Sequence, residues 1–354
     1  MVGIQNVGSV YALNRITLAR LAGFVTVLAL CVVVFGAYVR LSNAGLGCPD
    51  WPGCYGHLVA PTSQDAQAAL DHAVAPQPSH RFHTPAEAWK EMVHRYLAGG
   101  LGLLILATAV VAWRGRRRGL PVLLPSTLVA LVVFQMTLGM LTVTLLVNPL
   151  IVTSHLLGGM GILASAWWLS LQEGRWFGVA PIQFAALRPW AMIGVGLVVL
   201  QILLGGWTST NYAALACIEF PTCHGGEWWP AANFAEGFNL WRPFGINYEF
   251  GVLDSPAQTA IHLIHRLGAL TVFGYVTWLA ITIIRVSSLP LHRLLGIGML
   301  VLLFVQLGLG ITNVLAHLPL AVAVAHNGGA ATLLLAMVTL LHLTVQSEDG
   351  GHLS

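Results

Sequence analysis

Eight stretches of this chain are long and apolar enough to cross a membrane, and this constrains the fold more than any other feature. They run over about 16–39, 91–113, 121–146, 152–172, 190–208, 257–284, 293–316 and 320–345. A spanning helix needs roughly 20 apolar residues. In hydrocarbon every backbone N–H and C=O must find its partner inside the structure, so runs of this length read as α-helices. Composition agrees: 56% of the 354 residues are hydrophobic and 8% are charged, against about a quarter charged in soluble domains. The expected fold is an all-α polytopic membrane protein with eight transmembrane helices, and its bulk partner is the lipid bilayer. A net charge of only +3 offers no surface for nucleic acid, which is not expected as a partner.

Basic residues orient the set. Arg15 and Arg20 lie at the start of the first span, and Arg114, Arg116, Arg117 and Arg118 follow the second. Arg175 and Arg188 lie between the fourth and fifth, and Arg285 and Arg293 between the sixth and seventh. All fall on one side if both termini are cytoplasmic. The two loops of about 50 residues, after the first and fifth spans, then face outward. With no cleavable-signal or transit-peptide pattern at the N-terminus, a multi-pass protein of a bacterial cytoplasmic membrane is expected.

Each outward loop carries a cysteine pair, Cys48 and Cys54 in GLGCPDWPGCYG and Cys217 and Cys223 in ALACIEFPTCHG. A C-x5-C spacing is too loose to mark a metal site. Outward loops permit disulfides, so the reading is Cys48–Cys54 and Cys217–Cys223, with four free thiols as the alternative and a redox-active role for Cys48–Cys54 open. Cys31, inside the first span, reads as a packing residue.

The loops belong to a longer repeat. Gly36, Cys48, Pro52, Cys54 and Gly56 match Gly205, Cys217, Pro221, Cys223 and Gly225 at an offset of 169. Further on the offset is 171: EMVHR meets HLIHR, Gln135 and Gly139 meet Gln306 and Gly310, and SHLLGG meets AHNGGA. The chain therefore reads as two pseudo-symmetric four-helix bundles, residues 1–175 and 176–354. An even number of spans in each gives both halves the same orientation.

Ionisable residues inside spans are by default functional candidates. Each half offers one repeat-matched histidine on its second helix and one on its fourth, His94 with His155 and His265 with His326, all expected within about two turns of the outward ends. Two facing imidazoles suit the axial positions of a haem iron, whereas zinc usually takes three or four ligands. Positions three and four after the histidines are small in three cases, Gly158 and Gly159, Gly268 and Ala269, Gly329 and Ala330, but Leu97 and Ala98 after His94. Small residues there would let a macrocycle approach the backbone. The plainer alternative is a histidine that hydrogen-bonds a neighbouring helix across a small-residue contact. Arg95 and Arg266, beside the ligands, are candidates to pair with acidic haem propionates.

The halves differ at one position. Glu91 precedes His94 by three residues, and its counterpart is His262. A carboxylate at one site only suggests chemistry in the first half and a resident redox haem in the second; the bland alternative is a helix-start charge. His57, His72, His80, His83 and His224 read as solvated loop residues. His292, His317, His342 and His352 have no repeat partner. Gln135, Gln201 and Gln306 each open a Q-x3-G stretch, read as interhelical hydrogen bonding, with substrate contact as the sharper alternative.

From about residue 15 to 345 the chain resembles the haem A synthase family. GLGCPDWPGC, EMVHR, SHLLGG, HLIHR and AHNGG carry the likeness. The resemblance implies oxidation of one methyl group of haem O to a formyl group, giving haem A, through successive hydroxylations. It implies a haem b cofactor held by His265 and His326, substrate haem O held by His94 and His155, a catalytic role for Glu91, and paired outward cysteines. Implied partners are the haem O synthase that supplies the substrate and an electron donor that the sequence does not name; a homo-oligomer is left open. The competing class is a di-haem membrane electron-transfer or haem-transfer protein without porphyrin chemistry, which does not require Glu91 to differ from His262.

Overall fold

The computed structural model describes residues 2–59, 62, 84–178 and 182–351, with side chains described over 14–59, 62, 84–178 and 182–346. His72, His80, His83 and His352 lie outside the described residues. Eight long helices carry the eight apolar spans: α1 (Val2–Leu41), α2 (Pro85–Arg114), α3 (Leu123–Thr144), α4 (Pro149–Gly174), α5 (Arg188–Thr210), α6 (Ser255–Val286), α7 (Pro290–Leu315) and α8 (Leu320–Gly351). The protein is a multi-pass, helical membrane protein. A one-turn helix, Phe234–Gly237, lies in the second long loop.

Local chemistry sets the starts. Thr84 and Glu87 form a reciprocal cap before α2, each side chain bonded to the other's backbone N–H, with Pro85 in the first turn. Asn148 caps α4 by accepting from Leu150 N–H, and Asp254 caps α6 by accepting from Ala257 N–H. Proline in the first turn suits a helix start, because its missing N–H would have had no intrahelical partner. These caps extend α2 six residues beyond the hydropathy boundary at 91. His94 and His265 therefore lie nine and ten residues into their helices, deeper than the two turns expected. His155 and His326 each lie six residues in.

Within residues 1–175, α1 packs on α2, α2 on α3, α3 on α4, and α4 back on α1; α5 to α8 close in the same order. The second and fourth helices of each ring are thus diagonal across its interior. The rings meet through α1 with α8, α4 with α5, and α4 with α8. One continuous core crosses the join, from Leu18, Val25 and Leu163 to Leu279, Met337 and Leu340. Leu103, Phe134, Leu200, Leu294 and Phe304 are exposed on the outer surface, as lipid-facing residues are. At the end opposite the cysteine loops, Arg15 on α1 makes a two-pronged ion pair with the buried carboxylate of Glu173 on α4, Nε to Oε2 at 2.8 Å and Nη2 to Oε1 at 3.2 Å.

Candidate functional site

Both cysteine pairs are disulfides, with sulfur atoms 2.04 and 1.95 Å apart, and all four cysteines are fully buried. Each loop turns back through a short bridge. Cys54 N–H donates to His57 O and Cys223 N–H to Glu227 O, both at 2.8 Å. The closing partner is three residues on in the first loop and four in the second, so the repeat offset grows by one inside the hairpin. Asp50 accepts from the N–H groups of Tyr55 and Gly56, and Glu219 accepts from Gly225 and Gly226. The Gly226 N–H, then the Thr222 hydroxyl and the Gly225 N–H, hold the Glu219 carboxyl below the usual range against an opposing effect of desolvation. Burial, then the negative charges of Asp50, Glu91 and Glu87, pushes the Tyr55 phenol up.

Glu91 and His262 anchor these loops in the same way. Cys48 N–H donates to Glu91 Oε2 at 2.9 Å, and Cys217 N–H donates to His262 Nδ1 at 3.3 Å. Both anchors are buried, at 5% and 4% exposure. Arg95 gives Nη2 to the other oxygen of Glu91 and Nη1 to the carbonyls of Asp50, Pro52 and Gly53. Arg266 gives its Nη atoms to the carbonyls of Thr222, Cys217 and Glu219. The arginines read as propionate partners are thus directed at the loops, and through them each loop is held to the helix that carries a histidine.

The four histidines face glycines on the neighbouring helix. A methyl group added at Gly36, Gly139, Gly205 or Gly310 would stand 2.8, 3.2, 3.2 or 3.2 Å from Cε1 of His94, His155, His265 or His326 respectively. Three of those glycines close the Q-x3-G stretches, and the glutamine four residues earlier shares the same helix face. Gln135, Gln201 and Gln306 donate Nε2 to the backbone carbonyls of His155, His265 and His326, the last two at 3.0 and 2.8 Å. Each amide crosses the histidine's own helix at the third residue on. A methyl group at Gly158, Gly268 or Gly329 would fall onto the glutamine Oε1. Those glycines, read as room for a macrocycle, give the glutamine amide its place. Around His94 both parts are missing. Val32 stands four residues before Gly36 and Leu97 three after His94, while Phe35 stacks on the imidazole at 6.5 Å and 20°.

The two histidines of each pair lie on helices that are diagonal across the interior of their ring. Among the described residues, Nδ1 of His94, His155 and His326 is buried without a partner, as is Oε1 of all three glutamines. Among the described residues no three His, Cys, Asp or Glu side chains gather as a metal cluster. Two imidazoles per site, with no carboxylate in an ion pair with either ring among the described residues, suit a haem and could take one in each half. Sequence reasoning placed Cys31 in the packing, but it is exposed on α1. It also missed Arg40, which reaches from the end of α1 to the Tyr212 hydroxyl and the Ser209 carbonyl, both at 3.1 Å. Two surface grooves, of about 370 and 570 Å³, lie toward the other end of the helices and touch none of the four histidines.

Fold and site together define a class: a multi-pass helical membrane protein with a histidine pair inside each of two four-helix rings, each closed on one side by a disulfide loop. The profile of the COX15-CtaA family, described as cytochrome oxidase assembly protein, matches residues 19–338, and the chain belongs to that family. It is 44% identical over 315 residues to the haem A synthase of Shewanella oneidensis, covering 89% of this chain and 92% of that protein. It is 29% identical to the haem A synthase of Bradyrhizobium sp. ORS 278, covering 94% and 90%, and 26% identical to that of Rhizorhabdus wittichii, covering 90% and 91%.

Proposed function

We propose that this protein is a haem A synthase, an oxidoreductase that converts one methyl group of haem O to a formyl group. The observation that carries the reading is the pair of histidine sites on diagonal helices, in a chain 44% identical to a haem A synthase over most of its length. Residues 1–175 form the catalytic half, where His94 and His155 hold substrate haem O. Residues 176–354 form the second half, where His265 and His326 hold haem b, whose iron supplies one-electron redox chemistry when bound. Two successive hydroxylations, each using an external oxidant such as dioxygen with two electrons and two protons and releasing one water, take the methyl carbon to a geminal diol, which loses water to leave the formyl group.

In this account Glu91 is the catalytic residue. Its carboxylate is fixed by Cys48 N–H and Arg95 and lies three residues from His94 on the same helix. A buried, pre-oriented negative charge there stabilises positive charge developing at the methyl carbon or takes the proton released on hydroxylation. Arg95 and Arg266 each have five N–H donors, and those not held by the loops serve the haem propionates. The disulfide loops cap the outward ends and hold water out. Both termini are cytoplasmic and both long loops face outward in a bacterial cytoplasmic membrane. A haem O synthase supplies the substrate, and a separate electron donor completes the redox cycle.

Mass spectrometry of haem extracted from cells that supply haem O, with and without this protein, tests the reading. A formyl-bearing haem present only with the protein is the expected result. Unchanged haem O beside a folded, haem-loaded protein would favour the electron-transfer alternative.

A further inference from the structure

Three of the four histidines are held by a glutamine, and in each case the pairing is incomplete in the same way. The amide nitrogen lies on the histidine's backbone carbonyl, while the amide oxygen is buried with no donor. In two of the three, the ring Nδ1 of the same histidine is buried with no partner. In the third, Gln201 Nε2 stands 3.1 Å from His265 Nδ1. An amide N–H can donate to Nδ1 only when that nitrogen carries no proton. The neutral ring's proton is then on Nε2, where it blocks ligation of iron. An imidazole that binds iron through Nε2 carries its proton on Nδ1 and needs an acceptor there.

We propose that Gln135, Gln201 and Gln306 are positioning residues for the axial histidines, each turning its amide oxygen to accept the Nδ1–H of His155, His265 or His326 when Nε2 binds iron. The move leaves no backbone acceptor orphaned, because each histidine carbonyl sits within a helix and accepts from the N–H four residues on. The turn pairs the glutamine oxygen with the ring N–H and gives up the bond from the amide nitrogen to the histidine carbonyl, an exchange favoured when the imidazole binds iron and its N–H becomes a stronger donor. The glycines at 158, 268 and 329 are part of the device, since a Cβ there would meet the amide group and block its turn.

The fourth position then acquires a meaning. At His94, Val32 and Leu97 replace the glutamine and the glycine, so this ring has no amide acceptor and is the weakest of the four ligands. The second half anchors both of its imidazoles and retains its haem. The first half anchors only His155, so its haem can come and go, as substrate and product must. This inference rests on the assignment of the four histidines as axial ligands.

The test uses full-length protein purified with haem b from cells that make no haem O, comparing wild type, Gln306→Leu and Gln306→Glu by low-temperature EPR and redox titration. A wild-type spectrum without a low-spin bis-imidazole signal would overturn the ligand assignment itself. With that signal present, Gln306→Leu removes the acceptor, so the second-half midpoint potential should rise and haem should be held about 10-fold more weakly. Gln306→Glu supplies a stronger acceptor, gives the imidazole more electron density and should lower the potential. Opposite shifts support the inference, because loss of packing would not reverse sign between the two variants. If Gln306→Leu retains no haem, Gln306→Glu decides alone: a lowered potential supports the positioning role, and a wild-type potential and spectrum overturn it. Wild-type EPR and potential in both variants would likewise overturn it.

Discussion

The first and second halves hold their cysteine loops with different chemistry at the same point. A carboxylate, Glu91, takes the Cys48 N–H in one, and an imidazole, His262, takes the Cys217 N–H in the other. Either group can accept that hydrogen bond, so anchoring the loop does not require a charge. The carboxylate also takes Arg95 Nη2, whereas among the described residues Arg266 bonds only loop carbonyls; in the proposed function, catalysis gives that charge a further use. The halves differ again one turn deeper. Gln201 and Gly268 embrace His265, whereas Val32 and Leu97 flank His94. Both differences fall on the α1–α2 hairpin, around one histidine.

The largest expected effect comes from making the first half copy the second. Glu91→His keeps an acceptor for Cys48 N–H while removing the carboxylate. Formyl-haem yield should fall by about 100-fold or more, with haem content and the disulfide intact. An unchanged yield would reduce Glu91 to a loop anchor. A smaller effect follows from Val32→Gln with Leu97→Gly, which builds the missing cradle. Haem in the first site should dissociate about tenfold more slowly, measured by transfer to apomyoglobin, while second-site haem is unaffected. An unaltered release rate would mean that retention is set elsewhere.

The smallest effect separates the loops by pH. The Glu219 carboxyl is held below the ordinary glutamate value of about 4.3. Its contribution to holding the second loop is therefore full above that value and is lost as pH falls through the lower folded value. In Glu219→Gln the accessibility of the Cys217–Cys223 disulfide to a water-soluble phosphine should no longer change across that acid range, whereas in wild type it should rise as pH falls.

Much of this was legible in the sequence, because each feature stands out against hydrocarbon. Eight apolar runs, two cysteine loops and four repeat-matched histidines within the spans are conspicuous where polar residues are costly. Hydropathy starts α2 six residues late because the cap at Thr84 sets its start, whereas α6 begins within two residues of the apolar run. The partners of Arg95, Gln135 and Gly158 were harder to infer. Helices that are apolar on every side show no preferred face, so sequence alone does not fix which turn meets which neighbour. The clue was present in the Q-x3-G spacing, which places an amide and a gap on one helix face. Its meaning needed the position of the facing histidine.

The central claim is that the two histidine pairs hold different haems, and the haem composition of His94→Ala and His265→Ala, each purified from cells supplying haem O and analysed by mass spectrometry, tests it most directly. The account predicts that His94→Ala keeps haem b and loses haem O and its oxidation products, while His265→Ala loses the resident haem b. Loss of the same haems from both variants would contradict it.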